Sequence, residues 1–353
     1  MKLFNPIIYH RFKRYAISFI RHITLKKLLN MCLILIQMLL HRSKIHGYPF
    51  FIKIDPANIC NLQCLGCFAS DPMSFFQKGT MELELYKKIV DQLAPYLLTI
   101  SLYGWGEPFT NRNIYEMIAY ATQRNIGVVI STNMHFIDTD KLIKSRLDRL
   151  IVGIDGVTQE TYEKFRAHGN LSKVLGNLKS VLDTRKRYKS SLPFIEWQYV
   201  ITKENYNEVS AAQKLAKDIG VNCFNCIPDL CKRFDEKTRE SKYVKTFMSK
   251  GLARLKLCYC LWCFPFIEWD GSIMPCCFIH PSHKFGFGNV TKNSFKKVWN
   301  SEYYISARNS FKRDNTTDKT GNETSIPDPD IFLRDIEYID TVCHHCNYYM
   351  YLQ

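Results

Sequence analysis

From residue 50 onward the chain alternates short apolar runs with longer stretches of helical period. Residues 50–55, 97–103, 127–131, 149–155, 194–201 and 221–227 read as strands. Residues 81–94, 111–125, 138–146, 158–166, 171–189 and 205–219 read as helices, the first closed by Pro95 and the last by Gly220. Strands that alternate with helices imply a parallel sheet with right-handed crossovers. Six strands are too few for a complete eight-stranded barrel, so the fold predicted is α/β, a partial (β/α)6 barrel. In such a fold chemistry sits on the loops that follow the strands. Four of these loops are chemically loaded: Cys60 to Cys67 after the first strand, Gly104-Trp105-Gly106-Glu107-Pro108 after the second, Ser131-Thr132-Asn133 ending the third, and Asp155-Gly156 ending the fourth.

The first fifty residues have a different pattern. Residues 16–40 are strongly apolar, and at 100° per residue His22, Lys26, Asn30 and Gln37 fall on one narrow polar stripe. Nine Lys and Arg and no Asp or Glu lie within residues 1–50. The longest apolar stretch, 28–40, is broken by Asn30 and Gln37 and is shorter than the ~20 residues that span a bilayer. Two readings stay open: a helical arm packed on the following domain, or a basic amphipathic helix on an anionic membrane surface, contacted through residues 1–45.

Composition sharpens this picture at two points. The chain has 353 residues, which at roughly 150 per domain suggests two domains, or one barrel with an appendage. A formal charge of +15 favours anionic partners without choosing a fold. Fourteen cysteines fall mostly into clusters, and the chain is neither short nor led by a recognisable signal peptide. Reduced, metal-binding thiols in a cytoplasmic protein, membrane-associated if the arm binds lipid, fit better than a disulfide scaffold. The divisions predicted are an arm at 1–49, the barrel at 50–254, and a small cysteine-rich domain at 255–353.

Cys60, Cys64 and Cys67 form Cys-x3-Cys-x2-Cys. Three thiolates on one loop can hold three irons of a [4Fe–4S] cube and leave the fourth iron open. An open position is what a catalytic metal needs, whereas structural sites are closed. A zinc site with a distant fourth ligand, or plain buried thiols, is the alternative.

On these residues the chain resembles the radical S-adenosylmethionine (radical SAM) superfamily. Cys60, Cys64 and Cys67 stand where that family holds its cluster, 104–108 resembles its Gly-Gly-Glu motif with Trp105 intervening, and Ser131-Thr132-Asn133 looks like its Thr-Asn motif. Ile154-Asp155-Gly156, Tyr162 and Arg166 resemble the stretch after the fourth strand. The likeness runs from about residue 50 to the end, with two departures: Gly66 precedes the third cysteine, often preceded by an aromatic residue, and Gly153 replaces a common Ser. The resemblance implies S-adenosylmethionine as cofactor, a reductant such as flavodoxin or ferredoxin as partner, and reductive cleavage to a 5′-deoxyadenosyl radical that takes hydrogen from a substrate C–H bond. It also implies roles: Glu107 accepting from the methionine ammonium, Gly104 and Gly106 allowing close backbone approach, Ser131 and Asn133 facing the ribose, and Arg166 meeting the carboxylate. Asp155 is a catalytic candidate, as base or substrate contact, or a turn residue.

Beyond residue 255 the likeness is to SPASM/twitch extensions, which carry auxiliary Fe–S clusters. Residues 263–276 alternate and turn at Asp270-Gly271, a hairpin signal, and 294–311 read as a helix. Cys258, Cys276, Cys343 and Cys346 would close one auxiliary [4Fe–4S] cube, with Cys260, Cys263 and Cys277 left over; a zinc ribbon is the alternative. Cys223, Cys226 and Cys231 read as buried thiols, 312–330 as a polar insertion, and His344 and His345 as solvent-facing residues. The leading function is a radical SAM oxidoreductase or modifying enzyme, acting on a small molecule, glycan, lipid-linked substrate or peptide. The alternatives are a peptide maturase of the same superfamily and a non-catalytic metal- or nucleic-acid-binding protein, which the loaded loops argue against.

Overall fold

The computed structural model describes residues 19–67, 69, 77–229, 258–277, 286–311, 341 and 343. Cys231, His344, His345, Cys346 and the polar stretch 312–330 lie outside the described residues.

One nine-stranded sheet organises the molecule. Its strands are β1 (Phe51–Ile54), β2 (Thr99–Leu102), β3 (Gly127–Thr132), β4 (Arg149–Gly153), β5 (Phe194–Ile201), β6 (Cys223–Pro228), β7 (Phe266–Ile267), β8 (Ser272–Met274) and β9 (Gly288–Asn289). They lie in the order β6-β5-β4-β3-β2-β1-β7-β8-β9. The first six are parallel in chain order, and their registers, such as Ile54 with Leu102 and Thr132 with Val152, bring the strand ends to one rim. The partial six-stranded architecture predicted from the rhythm is the one observed. β4 is buried along its whole length, as an inner parallel strand covered on both faces must be.

Helices cover the sheet by ordinary amphipathic logic. The helix α2 (Leu83–Leu93) buries Tyr86, Ile89, Val90 and Leu93, three and four residues apart. The helices α3 (Ile114–Gln123), α4 (Thr139–Lys144), α5 (Gln159–Phe165), α6 (Leu171–Arg187) and α7 (Val209–Ile219) complete the crossovers. Thr158 and Asn170 cap α5 and α6, each side chain accepting from a backbone N–H in the first turn. Beneath them, the buried Arg149 guanidinium pairs with Glu196 across β4 and β5, and Asn225 of β6 donates to the other Glu196 oxygen at 2.9 Å.

The C-terminal region continues this sheet. β7 pairs parallel with β1, and β8 and β9 follow antiparallel, with Asp270-Gly271 at the hairpin turn. Residues Tyr259–Cys263 form a short helix, α8, ahead of the hairpin. One expectation changes here. The segment predicted as one helix is two, α9 (Phe295–Trp299) and α10 (Glu302–Asn309). The break has a cause: the Asn300 side chain pairs with both backbone groups of Ile45, accepting at 2.9 Å and donating at 3.0 Å, and extended Ser301 starts the next helix. The fully buried Arg308 of α10 donates to the carbonyls of Ser43, Leu261 and Trp299, so segment 43–45 ties this region to the barrel.

The N-terminal helix α1 (Leu25–Leu39) packs on the domain through most of its predicted polar stripe: Asn30 and Gln37 are buried with Lys27 and Ile34, as is His22 just before it, whereas Lys26 of the stripe is exposed.

Candidate functional site

The loop after β1 is fixed from several sides before any cofactor is considered. Asn58 closes its base, donating to the Gln77 carbonyl at 2.8 Å and accepting from Gly79 N–H at 2.7 Å. Its far side is pinned to the end of α5, where Gln63 N–H donates to Ala167 O at 3.2 Å and Leu65 N–H to Phe165 O at 3.0 Å. A turn brings Cys67 N–H to Cys64 O at 3.1 Å. Gly66 sits in it at φ +66°, a conformation that a side chain disfavours.

The second loop leans against the first. Glu107 N–H donates to Ile59 O at 2.9 Å. A Cβ on Gly106 would stand 2.3 Å from Ala57 O, where two backbones meet, and one on Gly104 would strike the Asp55 side chain. The Glu107 carboxylate is buried and already takes three donations: Thr132 Oγ1 at 2.7 Å, Asn133 N–H at 2.7 Å and Phe109 N–H at 3.2 Å. Burial raises its pKa, and these donors oppose the rise. Asn133 turns its side-chain amide to the cysteine loop, 2.9 Å from Asn61 Oδ1 and 3.7 Å from Cys60 Sγ. Ser131 is half-buried in β3 and, by strand alternation, lies on the face opposite Thr132.

Arg166 follows α5 and places Nη1 3.9 Å from Cys64 Sγ. Its Nε donates to Asp155 Oδ2 at 2.6 Å, while Asp155 Oδ1 accepts from Val200 N–H at 2.6 Å. Asp155 is fully buried, with one carboxylate oxygen on Arg166 and the other on β5. The Tyr162 hydroxyl is buried in the same region without a hydrogen-bond partner among the described residues.

These surroundings fit an anionic iron–sulfur cube held by Cys60, Cys64 and Cys67. The sulfurs meet donors: Arg166 at Cys64, and Leu62 N–H at 3.4 Å and Asn133 at Cys60. Burial pushes the Cys60 thiol up to about 11 and raises Cys64, whose rise Arg166 opposes, so metal binding must displace their protons. Among the described residues no three His, Cys, Asp or Glu side chains converge on a position for a single ion. The fit rests on the loop spacing and on these donors.

Three side chains were not singled out from the sequence. Thr132 holds Glu107. His135 accepts from Asn170 N–H through Nε2 at 2.9 Å, which places its proton on Nδ1, 3.0 Å from Asn133 O. Burial lowers its pKa, consistent with a neutral ring that braces the Asn133 turn. Asp55 lies against Gly104 and accepts from Trp105 N–H at 3.4 Å; it is fully buried, and its Oδ1 has no hydrogen-bond partner among the described residues. Thr132 stood inside a recognised motif without being given a role, and His135 and Asp55 stood close to one, which a pattern of chemistry-bearing residues does not weigh.

In the C-terminal region, the structure brings Cys258, Cys276 and Cys277 within electrostatic reach of Cys260, with Tyr304 close to Cys343, Cys260 and Cys276. Cys258 and Cys260 share a hydrogen bond that lowers the first thiol and raises the second. Cys263 instead touches Met38 of α1, Sγ to Sδ 3.8 Å. Cys223 and Cys226 are half-buried in β6.

Residues 54–195 match the radical SAM superfamily, and residues 258–325 match SPASM, an iron–sulfur cluster-binding domain. The chain belongs to the radical SAM superfamily. The two matched regions imply S-adenosylmethionine and [4Fe–4S] clusters as cofactors. Among curated relatives, the AdoMet-dependent heme synthase of Methanosarcina barkeri is 27% identical over 47% of this chain and 46% of its own. The tungsten-containing aldehyde ferredoxin oxidoreductase cofactor-modifying protein of Pyrococcus furiosus is 23% identical over 72% of this chain and 82% of its own. This radical SAM chain thus spans less than half the length of the first relative and most of the second. Streptococcus suis SuiB, solved bound to the precursor peptide SuiA, shares the fold with a TM-score of 0.59 at 14% identity, over 79% of this chain and 70% of that one.

Proposed function

We propose that the chain is a radical SAM oxidoreductase or modifying enzyme with one auxiliary [4Fe–4S] cluster. When loaded and reduced, the first cluster supplies one electron that breaks the C5′–S bond of S-adenosylmethionine, and the 5′-deoxyadenosyl radical takes a hydrogen atom from a substrate C–H bond. Cys60, Cys64 and Cys67 would hold that cluster, with no fourth ligand from their loop, so that S-adenosylmethionine could bind it. Arg166 offsets negative charge at Cys64 and orients the carboxylate, and Asp155 is a positioning residue for Arg166. Glu107 keeps the Asn133 turn against the cysteine loop, and its Oε2, with one donor so far, retains a lone pair for the cofactor's ammonium. Cys258, Cys276, Cys343 and Cys346 hold the auxiliary cluster, which accepts the substrate's electron or binds the substrate. A reductant of the flavodoxin or ferredoxin kind docks in the cytoplasm.

The observation that carries this reading is the convergence of the cysteine loop, Glu107, Asn133 and the Arg166–Asp155 pair on one rim. Anaerobically reconstituted protein, reduced in the presence of S-adenosylmethionine, is expected to release 5′-deoxyadenosine. No release above a Cys64→Ala control would be incompatible with it. The substrate class we favour is a small molecule, a glycan or a lipid-linked molecule. Peptide maturation is the second reading, favoured by the likeness to a protein solved with its precursor peptide. Deuterium transfer from labelled candidates into 5′-deoxyadenosine separates the two.

A further inference from the structure

Helix α1 is amphipathic with its faces exchanged. Its polar side chains Lys27, Asn30 and Gln37, with His22 ahead of them, are turned inward, and each has a partner. Asn30 accepts from Tyr48 N–H at 2.9 Å and donates to Tyr48 O at 2.8 Å. Gln37 Oε1 accepts from the N–H groups of His46 and Gly47 at 3.2 and 3.3 Å. Lys27 Nζ donates to Asn125 O, and His22 Nε2 lies 2.8 Å from Asp148 Oδ1. Each bond satisfies a group of a segment that is not itself helical, so the helix cannot roll its apolar face inward without stranding buried polar groups.

The apolar face therefore points away from the protein. Leu25, Leu29, Ile36, Leu39 and Leu40 are 72%, 61%, 54%, 59% and 60% exposed. Of the fifteen exposed large hydrophobic residues among the described residues, nine fall within residues 19–40, so the exposure is one patch and not scatter. At 100° per residue the exposed positions of the helix cover an arc of roughly 140°. Patches of this kind mark interaction sites.

Length and charge choose the occupant. Fifteen residues at 1.5 Å each give about 22 Å, short of the hydrocarbon thickness of ~30 Å. No described helix is long and apolar enough to cross a membrane. The patch is bordered by exposed Lys26, Arg42 and Lys44, within a fifty-residue stretch that has no acidic residue. Pairing two copies through this face would bring like charges together, whereas an anionic lipid surface offers apolar depth and opposite charge at once.

We infer that α1 docks the protein flat on an anionic membrane surface, with its leucine and isoleucine face in the acyl layer and the flanking Lys and Arg at the headgroups. The inference does not depend on the radical chemistry. The test is flotation of the reconstituted full chain with vesicles of phosphatidylglycerol and phosphatidylcholine, against vesicles of phosphatidylcholine alone. The full chain is expected to float with the anionic vesicles and to be weakened by salt. The double variant Leu29→Glu/Ile36→Glu is expected to lower the partition about a hundredfold. Its melting temperature should hold, because both side chains are exposed. Absence of flotation, equal flotation of the variant, or a concentration-dependent dimer dissolved by the variant would each overturn the inference.

Discussion

Cys60, Cys64 and Cys67 ride on a single loop, and the groups that meet their sulfurs come from elsewhere: Asn133 from the end of β3, and Arg166 from beyond α5. In the C-terminal region the thiols meet one another. Cys258 and Cys260 are hydrogen-bonded, and Cys276 and Cys277 are near enough to raise the Cys260 thiol further. In the first case donors from other elements meet the Cys60 and Cys64 sulfurs, and one cation eases deprotonation of Cys64. In the second a hydrogen bond within the set lowers the Cys258 thiol and raises that of Cys260. A rim site braced by several elements of the barrel suits a cluster that does chemistry, whereas the C-terminal set offers more thiols than one cluster needs.

The largest effect expected from breaking this comparison is at the loop. Cys64→Ala should abolish 5′-deoxyadenosine formation and lower the iron content from about eight to about four per chain. In the C-terminal set the contrast falls between neighbours. Cys258→Ala should lose about four irons yet keep cofactor cleavage, whereas Cys260→Ala should keep close to the full complement. Iron analysis together with single-turnover 5′-deoxyadenosine release distinguishes these outcomes. Stoichiometric zinc in the Cys64→Ala protein would remove the auxiliary cluster from the account.

A smaller effect is expected one step back from the rim. Asp155→Asn keeps the shape but removes the charge that holds Arg166, leaving a buried guanidinium without its partner. Breaking such a pair costs about 3 kcal/mol, and the cleavage rate should fall on the order of tenfold to a hundredfold with iron content unchanged. Gly153→Ser sharpens this. A Cβ there would stand 2.4 Å from Arg166 Nη2, so the guanidinium must shift while the backbone need not. The absence of a side chain at 153 and the position of Arg166 belong together. The rate should fall less than in Asp155→Asn, with an unchanged melt.

Much of this was legible before the structure. Strand rhythm gave the parallel six-stranded partial barrel because each crossover helix has its own period and stop signals. The Cys-x3-Cys-x2-Cys spacing and the loaded loops located the rim because parallel strands force their C-terminal loops together. Asp155 was legible as a position and not as a role, since its partner Arg166 is set by how α5 ends. The single helix predicted at 294–311 failed at Asn300, whose use as a backbone partner for Ile45 spans 255 residues and leaves no local trace. The orientation of α1 was equally hidden: hydrophobic patterning assumes that apolar faces turn inward, and here backbone groups of Tyr48, His46 and Gly47 demanded polar partners first.

The smallest predicted effect lies at the seam between the two cysteine regions, where β1 meets β7. Asp55 N–H donates to Ile267 O at 2.8 Å, and Glu268 follows directly. Burial pushes the Asp55 carboxyl up to about 7 and that of Glu268 up to about 8, and the two charges oppose each other. In the unfolded chain both would titrate near 4. The folded state therefore binds more protons than the unfolded one through the interval from about 4 to about 8. The stability associated with the neutral carboxyls is full below that interval and is lost as pH rises through it, at about 1.4 kcal/mol per pH unit for each proton. Glu268→Gln keeps the neutral, hydrogen-bonding shape at every pH. Its melting temperature should change less between pH 6 and pH 8 than that of the parent chain, the variant gaining on the parent toward pH 8. The iron content and the cleavage rate at pH 6 should be unaltered, because the seam joins the two regions without touching either set of thiols. Parallel melting curves across that range would place the Glu268 proton elsewhere.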